Sequence, residues 1–267
     1  MPELPDVEVF KNYYLEEARG EVIREVKILD KKVLGENAGD LFAENLPGKK
    51  MGAANRRGKH LFIALNEDGW LAFHFGMTGF FSFYEAEEPK SEHPRLILDF
   101  EDGAHLAFDC QRRLGEVDLI DNLNEYIEKK GLGPDALEDN LGYDDFKRIF
   151  SNDKSMAKSG LMNQSKLAGI GNVYSDEILF QAEIYPRRKF LNLSEKELKN
   201  IYEKMKFVLE EAVNKEVKPE LMPDDFLLTH REEGGVCPKC SAEIKKVGVS
   251  GRNGYYCPEC QKEKPNY

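Results

Sequence analysis

CPKCSAEIKKVGVSGRNGYYCPECQ, residues 237–261, holds two Cys-x-x-Cys knuckles, Cys237/Cys240 and Cys257/Cys260, with sixteen residues between them. Four thiolates at this spacing close a tetrahedron around Zn²⁺ and leave no open coordination position, so the sequence predicts one structural zinc ion. Two β-rich runs between the knuckles flank the turn Gly251-Arg252-Asn253-Gly254 and predict a β-ribbon. Arg252 on that turn offers a phosphate a rigid guanidinium fork, although a solvated turn arginine accounts for the same residues. Zinc ribbons also serve protein interfaces, so the knuckles alone name no partner.

Working outward, the segment before the ribbon reads as helical. LSEKELKNIYEKMKFVLEEAVNK places apolar residues at three- and four-residue steps and predicts a helix over Ser194–Lys215. Further helices are predicted over Tyr143–Phe150 and Asn172–Gln181. Between Val22 and Leu119 the pattern changes to short β-rich runs such as HLFIAL, WLAFHF and RLILDF. Turn signals at Glu67-Asp68-Gly69 and Glu101-Asp102-Gly103 predict antiparallel pairing, and hence a two-sheet sandwich. Ahead of it, Val7, Phe10 and Tyr14 predict a short helix from Pro5 to about Arg19. The fold class is α+β and multidomain: residues 1–122 as a β-sandwich domain with an N-terminal helix, 123–142 as a linker, 143–234 as a helical domain, and 235–267 as the zinc finger.

The 267 residues, 41% of them hydrophobic, suffice for two packed domains. No apolar run long enough to span a bilayer is present, and the N-terminus lacks a signal-peptide pattern, so a cytoplasmic protein with no membrane partner is expected. In that compartment the paired cysteines read as metal ligands, and Cys110 as a small buried apolar residue. A net charge of -11 argues at first against nucleic acid. The distribution changes that reading. Residues 154–172 and 51–66 each carry a local +3 with no acid, and 237–267 carry a further +3, whereas acids gather at Glu85–Glu88 and Asp121–Glu128. One basic face on an acidic body fits this distribution, as does ordinary solvated charge.

Two other segments carry chemistry. Gly169-Ile170-Gly171-Asn172 feeds a helix, and such a turn presents backbone N–H groups to a phosphate; a tight turn between core helices needs the same residues. At the N-terminus, PELPDVE follows Met1, whose removal exposes the secondary amine of Pro2. Such an amine titrates near about pH 8 and is a ready nucleophile. Glu3 beside it can move a proton. The same residues also fit the start of an ordinary capped helix.

The ordered set PELPDVE, RRGKHL (56–61), HFGMTG (74–79), QRRLG (111–115), LGPDAL (132–137), LMNQSKLAGIGNVYSDEILF (161–180) and the terminal knuckles resembles the formamidopyrimidine-DNA glycosylase/endonuclease VIII family. The resemblance runs from residue 2 to about 261. It implies a helix-two-turn-helix in the second domain and a bifunctional glycosylase and abasic-site lyase of base excision repair. Pro2 would be the Schiff-base nucleophile, Glu3 its acid/base partner, and Lys59 a catalytic residue beside the lesion phosphates. His74, Lys158, Asn172 and Arg252 fall on phosphate-binding positions, while Met77, Arg112 and Leu114 would fill the gap left by an extruded base. The implied partner is double-stranded DNA with an oxidised base or abasic site, bound by a monomer that is nucleoid-associated when bound.

Two departures bear on recognition. Asp6 stands where the family usually has Glu, and Leu114 where it usually has Phe, which predicts weaker stacking opposite the lesion. The Pro-Glu-Leu-Pro opening resembles the branch that acts on oxidised purines, 8-oxoguanine and formamidopyrimidines. A loop within Glu220–Gly235 would cover the extruded base. The competing readings are an endonuclease VIII-like enzyme for oxidised pyrimidines and a catalytically inactive zinc-ribbon protein that binds damaged DNA. No His or carboxylate set offers an open metal position, which argues against a zinc-dependent hydrolase.

Overall fold

In the computed structural model, residues 1–35, 39–66, 69–85 and 91–263 are described. Glu67-Asp68 of the predicted turn and the acids Glu87 and Glu88 lie outside them. The chain divides into two compact units, Met1–Pro2 with Asp6–Lys130, and Glu3–Pro5 with Gly131–Tyr267.

The first unit contains most of helix α1 (Leu4–Glu17), strand β1 (Ile23–Ile28), helix α2 (Gly39–Asn45), strands β2 (Met51–Arg57), β3 (His60–Leu65), β4 (Trp70–His74), β5 (Gly79–Tyr84), β6 (Pro94–Phe100), β7 (His105–Cys110) and β8 (Glu116–Ile120), and helix α3 (Leu123–Lys129). Two antiparallel four-stranded sheets form, in the orders β1-β6-β7-β5 and β2-β3-β4-β8. Side chains alternate across a strand, so Leu61, Ile63 and Leu65 of β3 enter the same core as Leu71 and Phe73 of β4 and Phe108 of β7. At its centre Phe81 and Phe108 meet Phe73 and Phe75 tilted or edge-on, with Phe73 and Phe81 centroids 4.9 Å apart.

The other face of β3 and β4 is also apolar, and this explains α3, which lies within the stretch expected as linker. Tyr126 of α3 packs with Phe62 and Ala72, and its hydroxyl donates to Asp118 Oδ2 at 2.8 Å. Asn122 caps the helix by accepting from the backbone of Asn124 and Glu125. The turn at Glu101-Asp102-Gly103 joins β6 to β7, with Asp102 accepting from Ala104 N at 2.9 Å.

The second unit contains helices α4 (Tyr143–Phe150), α5 (Ala157–Leu161), α6 (Asn172–Gln181) and α7 (Glu195–Asn214), then strands β9 (Lys245–Val249) and β10 (Arg252–Tyr256). Ser194 caps α7 through a reciprocal pair with Glu197, and Leu198, Ile201, Met205, Val208 and Leu209 are buried along one stripe, as its periodicity predicts. Residues 174–181 of α6 are all buried, so this helix is surrounded by the others. β9 and β10 pair antiparallel about Ser250 and Gly251, whose φ of 46° and 77° suit a tight two-residue hairpin turn. Phe180, Leu227, Ile244 and Cys257 share a small core that joins this ribbon to the helices. No helix among the described residues is long and apolar enough to cross a membrane.

Candidate nucleic-acid interface

In the second unit, Glu3 caps a core helix. Gly171, at the N-cap of α6, has no side chain with which to cap that helix. The Glu3 carboxylate supplies the cap from elsewhere in the sequence. Its Oε2 accepts from Gly171 N at 2.7 Å and Tyr174 N at 3.2 Å, and its Oε1 accepts from Val173 N at 2.8 Å. Leu4 N donates to Gly169 O at 3.0 Å, which pins the next residue as well. Gly171 N of the Gly-rich turn, predicted to face a phosphate, is thus occupied by a buried carboxylate together with two N–H groups of the first turn of α6, while Gly169 N donates to Gln164 Oε1 at 3.0 Å. A helix N-terminus accommodates such a carboxylate as it would an external anion. Pro2, half-buried, precedes this anchored carboxylate directly in the chain.

Lys158, expected at a phosphate, is fully buried instead. Its ammonium donates to Asn172 O at 2.8 Å, Ser175 Oγ at 2.9 Å and Asp176 Oδ1 at 2.7 Å, which uses all three of its protons. Arg231 completes the cluster, with Nε 2.9 Å and Nη2 2.8 Å from Asp176 Oδ2. Burial pushes the Lys158 ammonium below its ordinary range and the Asp176 carboxyl above its own, and each charge opposes the other's shift. Among the described residues, Asn172 Oδ1 is buried without a hydrogen-bond partner. Arg252 begins β10 and is exposed.

Asp176, Glu177 and Arg231 escaped the reading of the sequence. The available signal was two adjacent acids inside the otherwise apolar run VYSDEILF, since a helix buried on all sides must partner its charges. Glu177 Oε2 accepts from Leu228 N at 2.8 Å and Oε1 from Gln181 Nε2 at 2.8 Å; burial raises this carboxyl to about 8. Part of the segment expected to cover an extruded base is therefore tied to α6, with Met222 and Phe226 packed in the helical core.

The cysteine sulfurs lie within 4.8 Å of one another, with Cys240 to Cys257 at 3.4 Å, Cys240 to Cys260 at 3.5 Å and Cys237 to Cys260 at 3.9 Å. A zinc tetrathiolate has sulfur–sulfur edges of about 3.8 Å, so the four side chains fit one Zn²⁺. All four positions being filled by the protein, the ion is structural.

In the first unit, Lys59 sits between β2 and β3. Arg56 braces this hairpin, with Nε 2.6 Å from Glu8 Oε2 on α1 and Nη1 donating to Gly58 O at 3.1 Å. His74 pairs with His60 across β4 and β3, their rings 4.8 Å apart. Burial, and then the charges of Lys59 and Lys130, lower His74 to about 4; burial, with His74, Lys130 and Lys59, lowers His60 to about 3. His74 is therefore neutral at pH 7. Its Nδ1 accepts from Gly76 N at 3.3 Å, so the ring proton is on Nε2 and can be donated without adding a charge.

Met77, Arg112 and Leu114 lie on two adjoining loops. Arg112 N donates to Thr78 Oγ1 at 3.0 Å, and Gly76, at φ 60°, lets the Leu114 carbonyl approach to where a Cβ would lie only 2.3 Å away. Leu114 is 53% exposed, an apolar side chain held out in water. Cys110 is buried, and its sulfur accepts from Gly115 N at 3.3 Å at the base of this loop.

Three family models cover this chain: the formamidopyrimidine-DNA glycosylase N-terminal domain over residues 1–117, the formamidopyrimidine-DNA glycosylase H2TH domain over 132–220, and a zinc finger found in FPG and IleRS over 234–262. The formamidopyrimidine-DNA glycosylase of Pelotomaculum thermopropionicum is 33% identical over 99% of this chain and 100% of its own length. That of Listeria innocua is 32% identical over 98% and 100%. The Lactococcus lactis formamidopyrimidine-DNA glycosylase, solved non-covalently bound to DNA with an abasic site, superposes with a TM-score of 0.88 at 26% identity, over 98% of this chain and 100% of its own. The same protein in complex with DNA containing N7-benzyl-Fapy-dG gives 0.89 at 25%, with the same coverage. With its three matched segments in the family's order and full-length relatives a third identical, the chain belongs to the formamidopyrimidine-DNA glycosylase family.

Proposed function

We infer that this chain is a monomeric DNA glycosylase with abasic-site lyase activity in base excision repair, acting on oxidised purines in duplex DNA and nucleoid-associated while bound. The observation that carries the reading is the Glu3 carboxylate, immobilised by three backbone N–H groups and next in sequence to Pro2, the candidate nucleophile. With Met1 removed, the Pro2 nitrogen lone pair attacks C1′ of the damaged nucleotide, and the C1′–N glycosidic bond breaks as the base leaves with a proton. Opening of the sugar ring gives an iminium between Pro2 and C1′. Loss of a C2′ proton then expels the 3′ phosphate, and a second elimination expels the 5′ phosphate. Glu3 and Lys59 are the candidates for these proton transfers.

The remaining residues hold the substrate. His74 donates its Nε2 proton, Asn172 its amide and Arg252 its guanidinium to the backbone around the extruded nucleotide, while Met77, Arg112 and Leu114 occupy the vacated stack. Zinc, when bound to its four cysteines, fixes the ribbon that presents Arg252 and takes no part in the chemistry.

Borohydride reduction during incubation with duplexes bearing 8-oxoguanine, a formamidopyrimidine or an oxidised pyrimidine tests this reading. A covalent complex with the purine lesions, absent from Pro2→Gly, is expected. Capture of the pyrimidine lesion alone would move the protein to the endonuclease VIII-like branch, and binding of every duplex without cleavage would make it a non-catalytic damage binder.

A further inference from the structure

The buried cluster around Asp176 joins four separate pieces of the second unit. Lys158 comes from α5, Asp176 and the Asn172 carbonyl from α6, and Arg231 from the segment after α7. The fourth piece is the zinc ribbon. Gly254 of β10 packs so closely on the cluster that a Cβ there would sit 3.0 Å from Asp176 Oδ1 and 3.1 Å from Lys158 Cδ. The Arg231 guanidinium lies over the Tyr255 ring at 4.8 Å, and Arg231 Nη2 donates to Asn172 O at 3.3 Å.

Asn172 and Arg252, assigned above to the DNA backbone, are thus both tied to one ionic cluster. The Asn172 carbonyl takes one bond from each cation, and Arg252 lies two residues along β10 from the glycine packed against both Asp176 and Lys158. Two cations converging on one buried carboxylate tolerate little displacement, because any movement leaves a desolvated charge uncompensated. A wholly apolar contact would bury the same surface without specifying the spacing.

We propose that Asp176, with Lys158 and Arg231, is a positioning centre that sets the distance between the helix-borne and ribbon-borne phosphate contacts, so that Asn172 and Arg252 grip the DNA backbone as one rigid pair. The proposal rests on the functional reading above. It gives Lys158 a task that needs no exposed proton, and Asp176 and Arg231 a task in substrate binding without touching substrate.

A binding cycle tests it with the zinc-loaded full-length protein and a duplex carrying a tetrahydrofuran abasic analogue. Arg252→Ala is measured in the wild-type, Asp176→Asn and Arg231→Lys backgrounds, with zinc content and thermal midpoint recorded for each. Expected is a loss of about tenfold from Arg252→Ala in the wild type and of less than about twofold in either altered background, with the salt slope of those backgrounds already flattened. Arg231→Lys keeps the charge balance and removes only the guanidinium geometry, so it serves if Asp176→Asn does not fold. A purely stabilising cluster would leave the Arg252→Ala loss equal in every background, and that result overturns the proposal. Failure of the wild type to bind the duplex would instead overturn the functional reading, and is seen before any variant is compared.

Discussion

The Glu3 carboxylate and the Gly171 amide, 168 positions apart in sequence, meet at 2.7 Å, and with the N–H groups of Val173 and Tyr174 they make one residue of the N-terminal tripeptide the cap of a core helix. Capping of α6 and anchoring of the residue that follows Pro2 are therefore a single interaction.

Glu3→Gln is expected to reduce single-turnover base release by at least about a hundredfold, the scale of a lost acid/base group. It also replaces an acceptor-only group with one that carries donors, at a cost of about 1–2 kcal/mol in stability. Stopped-time assays with lesion duplex and a thermal melt check the two effects. Unimpaired base release would remove Glu3 from the chemistry and leave it a cap only.

Arg252→Ala should weaken binding across all duplex sequences and reduce the slope of log affinity against log salt by about one. Stripping zinc with a chelator should have at least that effect, because the ribbon that presents Arg252 depends on four thiolates and a small apolar cluster. Titrations at several salt concentrations give the slope; an unchanged value would show that Arg252 meets no phosphate.

Leu114 stands exposed in the loop between β7 and β8, so Leu114→Phe should alter stability by less than about 0.5 kcal/mol. A ring there stacks better on the orphaned base, and several-fold tighter binding to lesion duplex is expected. Equal gains on undamaged duplex would mean that the side chain does not enter the stack.

His60 is buried neutral beside His74, and its lowered value, about 3, dictates a pH dependence. The unfolded chain takes up a proton near about pH 6.5 while the folded chain does not, so stability is complete above that pH and is lost as pH falls toward the folded value. His60→Phe removes this loss. By pH 4 the wild type should have lost on the order of 3 kcal/mol relative to the variant. Denaturant melts at pH 7 and pH 4 supply the difference, and parallel pH profiles would count against a buried neutral His60.

The sequence alone determined what depends on neighbours along the chain. Helical periodicity over Ser194–Lys215 returned α7 with its Ser194 cap, alternating runs returned the two sheets, and the spacing of Cys237, Cys240, Cys257 and Cys260 returned a site that fits one metal ion. The identity of the family was equally legible, because its motifs are contiguous words in a fixed order. Tertiary structure decided which groups answer one another across long separations. Only there do the donors of Gly171 and Val173 turn out to hold Glu3 rather than a phosphate, and the protons of Lys158 prove to be spent on Asn172, Ser175 and Asp176. Local patterns report which face of a helix or strand is apolar, whereas pairing of buried polar groups is settled by whichever partners packing brings within about 3 Å, and no local spacing encodes that.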